Sequence, residues 1–313
     1  MNSGHPSQPR PSPLLAFLYY GAGVFSFSVV DAATRLLRVD YDYGTWQIML
    51  VTRVPPLLVA LLMTMQATGS PFRLATRFPL THLARGICVL VTTFTFFAGL
   101  KYLPLADCIV IAFAAPIFVT ALSGPFLGEK VGWRRWSAVA VGFGGVVLAV
   151  KPGAGSFNLG TGLILASAVA YALTLLTLRP LSGKEHTHNI LFYSTAVTLL
   201  AAVVPGIIEW KPVGWTAAGV MVVQGLASAG GQFTMVKAFR LGEASMLAPI
   251  EFTALIWATL FGFMFWGDLP TLEVLAGAAL IIGANIYIAH REAQAAKRIR
   301  DLSPIPEHAS LPE

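Results

Sequence analysis

Charge is scarce in this sequence. Aspartate, glutamate, lysine and arginine together make up 12% of the 313 residues, about half the roughly 25% of an ordinary soluble domain. So few charges cannot clothe a soluble core, and no stretch reads as a soluble domain. Cysteine is scarcer still. Cys88 and Cys108 are the only two; both fall in apolar runs, which reads as packed thiols rather than a disulfide, and no zinc-type spacing exists. The six histidines, His5, His82, His186, His188, His290 and His308, lie in tails or near loops. His186 and His188 stand two apart without further ligands, so no metal is expected. There is no HExxH, no phosphate loop ending in GK[ST] and no G-x-S-x-G elbow. No enzyme and no cofactor is expected. Without a nucleotide-hydrolysis motif, any transport would have to draw on ion or substrate gradients.

Apolar residues fill the space that charge leaves. They make up 56% of the chain, with a mean hydropathy of +0.70. Runs of about 18 or more apolar residues recur, the signature of an all-α polytopic membrane protein with the lipid bilayer as its partner. The net charge of +6 raises nucleic acid as an alternative. The better account is topological, because basic residues of membrane proteins gather in cytoplasmic loops; no nucleic acid is expected.

Ten spans are expected, near residues 14–34, 45–67, 83–102, 106–127, 134–150, 159–179, 189–208, 215–238, 245–266 and 271–290. Each is close to the roughly 20 residues that cross a bilayer as helix. The polar, proline-rich residues 1–13 read as a disordered tail. The apolar run that follows them reads as a retained first span, not a signal peptide, since it is long and holds Asp31. The charged residues 291–313 read as a helix end and then disorder. With the N-terminus inside, fifteen of the 21 Lys and Arg fall on the cytoplasmic side. Five, Arg35, Arg38, Lys101, Lys151 and Lys211, fall outside, and Arg53 lies within span two. That bias puts both termini in the cytoplasm.

Two stretches echo each other. Ala244 to Pro270, ASMLAPIEFTALIWATLFGFMFWGDLP, holds a carboxylate inside an apolar run. Ala106 to Gly132, ADCIVIAFAAPIFVTALSGPFLGEKVG, matches it at an offset of 138, and one added residue brings Gly128-Glu129 onto Gly267-Asp268. In the first of these registers Glu251 falls on Phe113. Spans three to five thus echo spans eight to ten. The chain divides into halves at 14–152 and 159–290, and an odd number of spans per half inserts the second half upside down. Inverted repeats typify secondary transporters, with substrate held between the halves near the midplane.

These residues resemble the EamA family of the drug/metabolite transporter superfamily. The motifs are FAAPIFVTALSGPFLGEKVGWRRWSAVAVGFGGVVLAVKPG in the first half and PIEFTALIWATLFGFMFWGDLP with LAGAALIIGANIYI in the second. The stretches FSFSVVDAATRLL, WQIMLVTR and LARG resemble the branch that contains S-adenosylmethionine and riboflavin transporters. Asp268 stands where that family usually has Glu. The resemblance implies two EamA repeats, cytoplasmic termini and a cavity lined by spans one, three, four, six, eight and nine that alternates access.

Several residues could line such a cavity. Glu251 sits about six residues into span nine, on a face of small residues, with Pro249 loosening the helix before it. It either binds a cationic group or a proton, or is an interfacial acid bonded to a neighbouring helix. Gln224, Ser228, Gly231, Gln232 and Met235 form a stripe at helical spacing. Its amides serve either substrate or a helix contact, Gln232 being the deeper. Asp31 and Arg53 both fall in the outer third of the membrane and are placed to pair; Arg35, four residues on, is a local partner for Asp31. Arg85 opens span three, as a positive-inside anchor or an inner-mouth contact. Lys101 and Asp107 flank an outer turn and read as solvated. Tyr171 and Trp257 lie mid-span, to stack on a flat substrate or to pack. Ala138, Gly142 and Gly145 in span five, with Ala279 and Gly283 in span ten, allow close helix crossing, inside the monomer or in a homodimer.

The expectation is a secondary transporter for a small polar organic metabolite, amino-acid-derived or heterocyclic, in a bacterial inner membrane, with protons as the candidate coupling ion through Glu251 or Asp31. The alternatives are a gradient-independent exchanger, or a membrane enzyme or assembly factor for lipid-linked substrates.

Overall fold

The computed structural model describes residues 13–71, 73–127, 132–150, 158–181, 184–241 and 244–302. The N-terminal tail, Glu129, most of the loop from Lys151 and the last residues of the C-terminal tail lie outside these. Among the described residues all regular structure is helical, in thirteen α-helices and one short 3-10 turn.

The order is α1 (Pro13–Val39), α2 (Thr45–Thr52), α3 (Val54–Thr68), α4 (Pro79–Gly99), α5 (Leu105–Ala112), α6 (Ala115–Leu127), α7 (Trp133–Val150), α8 (Leu159–Leu176), α9 (Thr187–Ile208), α10 (Trp215–Leu241), α11 (Ala244–Glu251), α12 (Thr253–Trp266) and α13 (Leu272–Leu302). Among the described residues eight stretches are long and apolar enough to cross a membrane: Leu14–Val39, Thr45–Thr68, Pro79–Gly99, Leu105–Phe126, Leu159–Leu181, Thr187–Ile208, Pro249–Trp266 and Leu272–Arg291. A shorter apolar helix covers Arg135–Val150.

Local chemistry explains where the helices begin and end. Pro79 opens α4, where a missing N–H costs nothing. The Asn158 side chain caps α8 by accepting from the Thr161 amide at 3.0 Å. Gly267 closes α12 at φ +69°, and Asp268 N–H donates to the Gly262 carbonyl at 3.1 Å. A side chain at that positive φ would be strained.

Three of the long apolar stretches are broken, at Arg53, at Phe113 and Ala114, and at Phe252. A proline stands within four residues of each break. Pro55 and Pro56 follow the first break, Pro116 the second, and Pro249 precedes the third; each removes a helical donor. Only the loosening near Pro249 was expected from the sequence. The freed polar groups find new partners. Asn285 of α13 donates to the Phe113 carbonyl at 2.9 Å, and Thr253 Oγ1 donates to the Ile250 carbonyl at 2.6 Å. The breaks after Ala112 and Glu251 lie 139 residues apart, which brings Phe113 onto Phe252 and Glu251 onto Ala112.

The main packing pairs are α1 with α10, α4 with α8, α7 with α13, and α9 with α2, α3 and α4. Small residues bring α7 and α13 together: a side chain on Gly277 would meet the Gly145 carbonyl, and one on Gly142 would meet Ile117 and Ala284. Gly142 and Gly145 therefore serve contacts within this chain. Gly277 does the work the sequence reading gave to Gly283, which faces open space. Cys88 and Cys108 are free thiols, Cys108 fully buried.

Candidate functional site

Four polar side chains from four helices share one region inside the helix assembly. Glu251 ends α11 at the break, about 10 Å of helix from that helix's start. It acts electrostatically on Tyr20 of α1 and Tyr171 of α8, and Arg85 of α4 acts on Tyr171 in turn. The Glu251 side chain is accessible, and among the described residues it makes no ion pair or hydrogen bond. A carboxylate left open among apolar helices is available to a ligand or a proton.

Glu251 stands directly before the break: α11 stops there and the chain turns at Phe252. Tyr171 is 40% exposed. Tyr20 is buried, with its ring edge-on to Phe239 at 5.6 Å. The sequence reading missed Tyr20, because a tyrosine near a span end is common at any membrane interface.

Arg85 has a second attachment. One Nη donates to the Thr174 carbonyl at the end of α8, while its Nε is buried with no partner among the described residues. A cation at a helix C-terminus satisfies an orphan carbonyl and complements the dipole. Arg85 thus links α4 to α8, beside Tyr171.

Gln232 of α10 is half-buried, with no hydrogen bond among the described residues. Gln224, two turns earlier, is fully buried and donates to Thr34 Oγ1 of α1 at 2.6 Å. That bond ties α10 to α1, the helix contact that was the alternative reading for this amide. Trp257 of α12 packs edge-on to Phe25 of α1 at 4.8 Å and alongside Phe261 at 6.5 Å.

The expected pairing of Asp31 is not made. Among the described residues no ion pair joins it to Arg53 or to Arg35. Arg53 lies in the α2–α3 break with its guanidinium 5.8 Å from the Phe97 ring centre. Arg35 turns instead to α12, 2.7 Å from Asp268 and 4.1 Å from the Trp266 ring centre. An acid and an aromatic face together outcompete the local acid one turn back. Nor is Lys101 merely solvated, since it pairs with Asp42 at 2.6 Å.

At the opposite face a network joins three segments that the sequence did not connect. Glu185 accepts from Thr76 Oγ1 at 2.5 Å and from Asn189 at 2.8 Å, and pairs with His82 at 3.3 Å. Tyr193 donates to the Leu74 carbonyl at 2.6 Å. Burial raises the Glu185 carboxyl, but the donors from Thr76, Asn189, His82 and the His186 amide outweigh it and hold it at about 2. Among the described residues no group of three or more metal-ligating side chains occurs.

Comparison with known proteins agrees with this architecture. Residues 14–151 match the EamA-like transporter family. The chain is 30% identical to the pseudopaline exporter CntI of Pseudomonas aeruginosa over 66% of its own length and 73% of the relative's. It is 28% identical to an S-adenosylmethionine uptake transporter of Rickettsia bellii, over 71% and 76%. It is 25% identical to a riboflavin transporter of Vibrio cholerae, over 93% and 98%. A solved crystal structure of 18% identity superposes with a TM-score of 0.61, covering 88% of this chain and 97% of that one. Together with the eight apolar helices, these relatives make it a multi-pass membrane protein whose setting fits the bacterial inner membrane. The chain belongs to the EamA-like transporter family of the drug/metabolite transporter superfamily.

Proposed function

We propose that the chain is a secondary active transporter that moves a small polar organic metabolite by alternating access. The observation that carries this is Glu251: an accessible acid at a helix break, facing Tyr20, Tyr171 and the Arg85 side of α4. Glu251 would take a cationic group or a proton, Arg85 would orient an anionic one, and the Tyr171 ring would stack on a flat group. Gln232 and Trp257 extend the lining. Relatives named for S-adenosylmethionine, riboflavin and pseudopaline support the reading that the cargo is an amino-acid-derived or heterocyclic molecule.

The architecture proposed is ten spans in two inverted halves, residues 14–152 and 159–290, with both termini in the cytoplasm. The broken pairs α2–α3, α5–α6 and α11–α12 count as one span each, and α7 and α10 complete the ten. The packing supports this reading. Exchanging the first five spans with the last five turns α1–α10 into α8–α4 and α1–α12 into α8–α6, while α7–α13 maps onto itself. The Lys and Arg bias supplies the orientation.

The test is a thermal-shift screen of the purified protein with S-adenosylmethionine and riboflavin. A ligand at about a hundred times its dissociation constant stabilises by about 2.7 kcal/mol, so true cargo raises the melting temperature. Counterflow in vesicles with the proton gradient collapsed separates exchange from coupled transport. If neither compound nor any related zwitterion or heterocycle shifts the melting curve, the metabolite reading fails.

A further inference from the structure

Arg35 is held by one carboxylate, and a second acid stands one turn back on its own helix. It sits on α1 at 8% exposure, in an ion pair with a single oxygen of Asp268 at 2.7 Å and under the Trp266 ring. Its Nε and its other Nη are buried and have no hydrogen-bond partner among the described residues. A guanidinium in a settled pair is held bidentately with its donors filled. Asp31 lies one turn back on the same helix, the spacing at which side chains meet. Its carboxylate has no ion pair among the described residues, although a charge within a span needs a partner or a proton.

The other end of the pair is attached to a movable part. Asp268 follows Gly267, where α12 ends, and α12 is separated from α11 by the break at Phe252. Trp266 also donates to Asp40 at 3.0 Å, so this corner pins the end of α12 to the end of α1. Arg35 and Asp40 thus hold the far end of α12, and the turn at Phe252 bounds its near end.

We infer that Arg35 is a proton-controlled latch: it seals this face by holding Asp268 while Asp31 is protonated, and opens it by moving to Asp31 when that acid is ionised. The inference rests on the alternating-access reading and gives its outer face a device. The charged and titratable groups on the surrounding elements are Cys108 and Asp107 of α5, Arg53 between α2 and α3, Arg38 and Asp40 beyond Arg35, Asp268 after α12 and, deeper, Glu251 of α11. Arg38 donates to the Tyr43 carbonyl. Arg35 combines the pair with Asp268 and the helical spacing to Asp31.

Pulsed electron resonance on the full chain in lipid nanodiscs tests it. Spin labels at Val39→Cys and Leu269→Cys, both exposed positions, in a background with Cys88→Ala and Cys108→Ala, read the separation of α1 from the end of α12. From about pH 9 to about pH 5, a range spanning perturbed carboxylates, the expected shift is from a long to a short distance population. Asp31→Asn should show the short population at every pH, and Asp268→Asn the long one. Arg35→Gln should lose the pH response. The latch is overturned if Asp31→Asn titrates like its parent, if Arg35→Gln keeps the response, or if the parent shows none. No substrate is added, so the two readings fail separately: uptake absent with the pH response intact overturns transport alone, and uptake present with no response overturns the latch alone.

Discussion

Phe113 and Phe252 meet edge to face, with ring centres 5.3 Å apart and planes at 83°. Each stands at the break of its own helix, so the α5–α6 and α11–α12 pairs touch where both lose their hydrogen bonding. Edge-to-face pairs contribute about 0.5–1.5 kcal/mol beyond the area they bury. In a cycle with Phe113→Leu and Phe252→Leu, the two losses of stability should be non-additive by about that amount. Unfolding in detergent monitored by tryptophan fluorescence measures it; strict additivity would separate the breaks from each other.

Glu251→Gln keeps the shape of the site and removes its charge. If the carboxylate binds cargo or a proton, uptake into proteoliposomes should fall about tenfold or more, the loss of about 1.4 kcal/mol or more of interaction, with the melting temperature little changed. Full, pH-independent uptake by the variant would remove Glu251 from the mechanism.

Gln224 and Thr34 are both fully buried and hydrogen-bond each other across α10 and α1. Such bonds inside membranes contribute about 0.6 kcal/mol on average and up to about 2. Thr34→Val should cost about 1 kcal/mol, and Gln224→Leu should cost little more in the same background, since each change removes the same bond. Melting curves of the two single variants and the double variant decide between coupling and independence.

The Glu185 carboxyl titrates at about 2 in the folded protein, below its ordinary value of 4.5. A depressed acid favours the folded state above its unfolded value, and that contribution fades as pH falls through the folded value. The advantage of wild type over Glu185→Gln should therefore be full at neutral pH and shrink from about pH 4.5 downward. A difference in melting temperature that stays flat across that window would remove Glu185 from the acid response.

Gly277 allows the tightest backbone approach between α7 and α13. A Cβ there would lie 2.6 Å from the Gly145 carbonyl oxygen and 2.8 Å from the Ala149 Cβ. Backbone cannot yield as a side chain can, so Gly277→Ala should cost about 1–3 kcal/mol. Gly283→Ala, at a position facing open space, serves as the control and should be neutral or slightly stabilising. Equal melting temperatures for the two variants would contradict the packing.

Much was legible from composition alone, because a helix that crosses a bilayer must be long and apolar. The eight stretches long and apolar enough to cross a membrane lie within about five residues of expected spans; the span expected at 189–208 is α9, Thr187–Ile208. The helix breaks were less legible. Pro55, Pro56 and Pro116 were in plain view, but proline is tolerated within membrane helices, and only its packing decides whether the helix stops. Asn285 offered a missed signal: an amide inside a span must find a partner, and it found the carbonyl freed at Phe113.

By itself the sequence determined the class, an apolar helical chain too poor in charge to fold in water, and the motifs that resemble its family. It also determined which few polar side chains had to be accounted for. Only the tertiary structure decided their partners. Arg35 passes over Asp31, four residues away, for Asp268, more than two hundred residues away, and Gln224 finds Thr34 on another helix. The reason is physical. Helical spacing lays out the neighbours along one helix, but a buried charge or amide is stabilised by whichever group the facing helix presents, and that depends on how the faces pack.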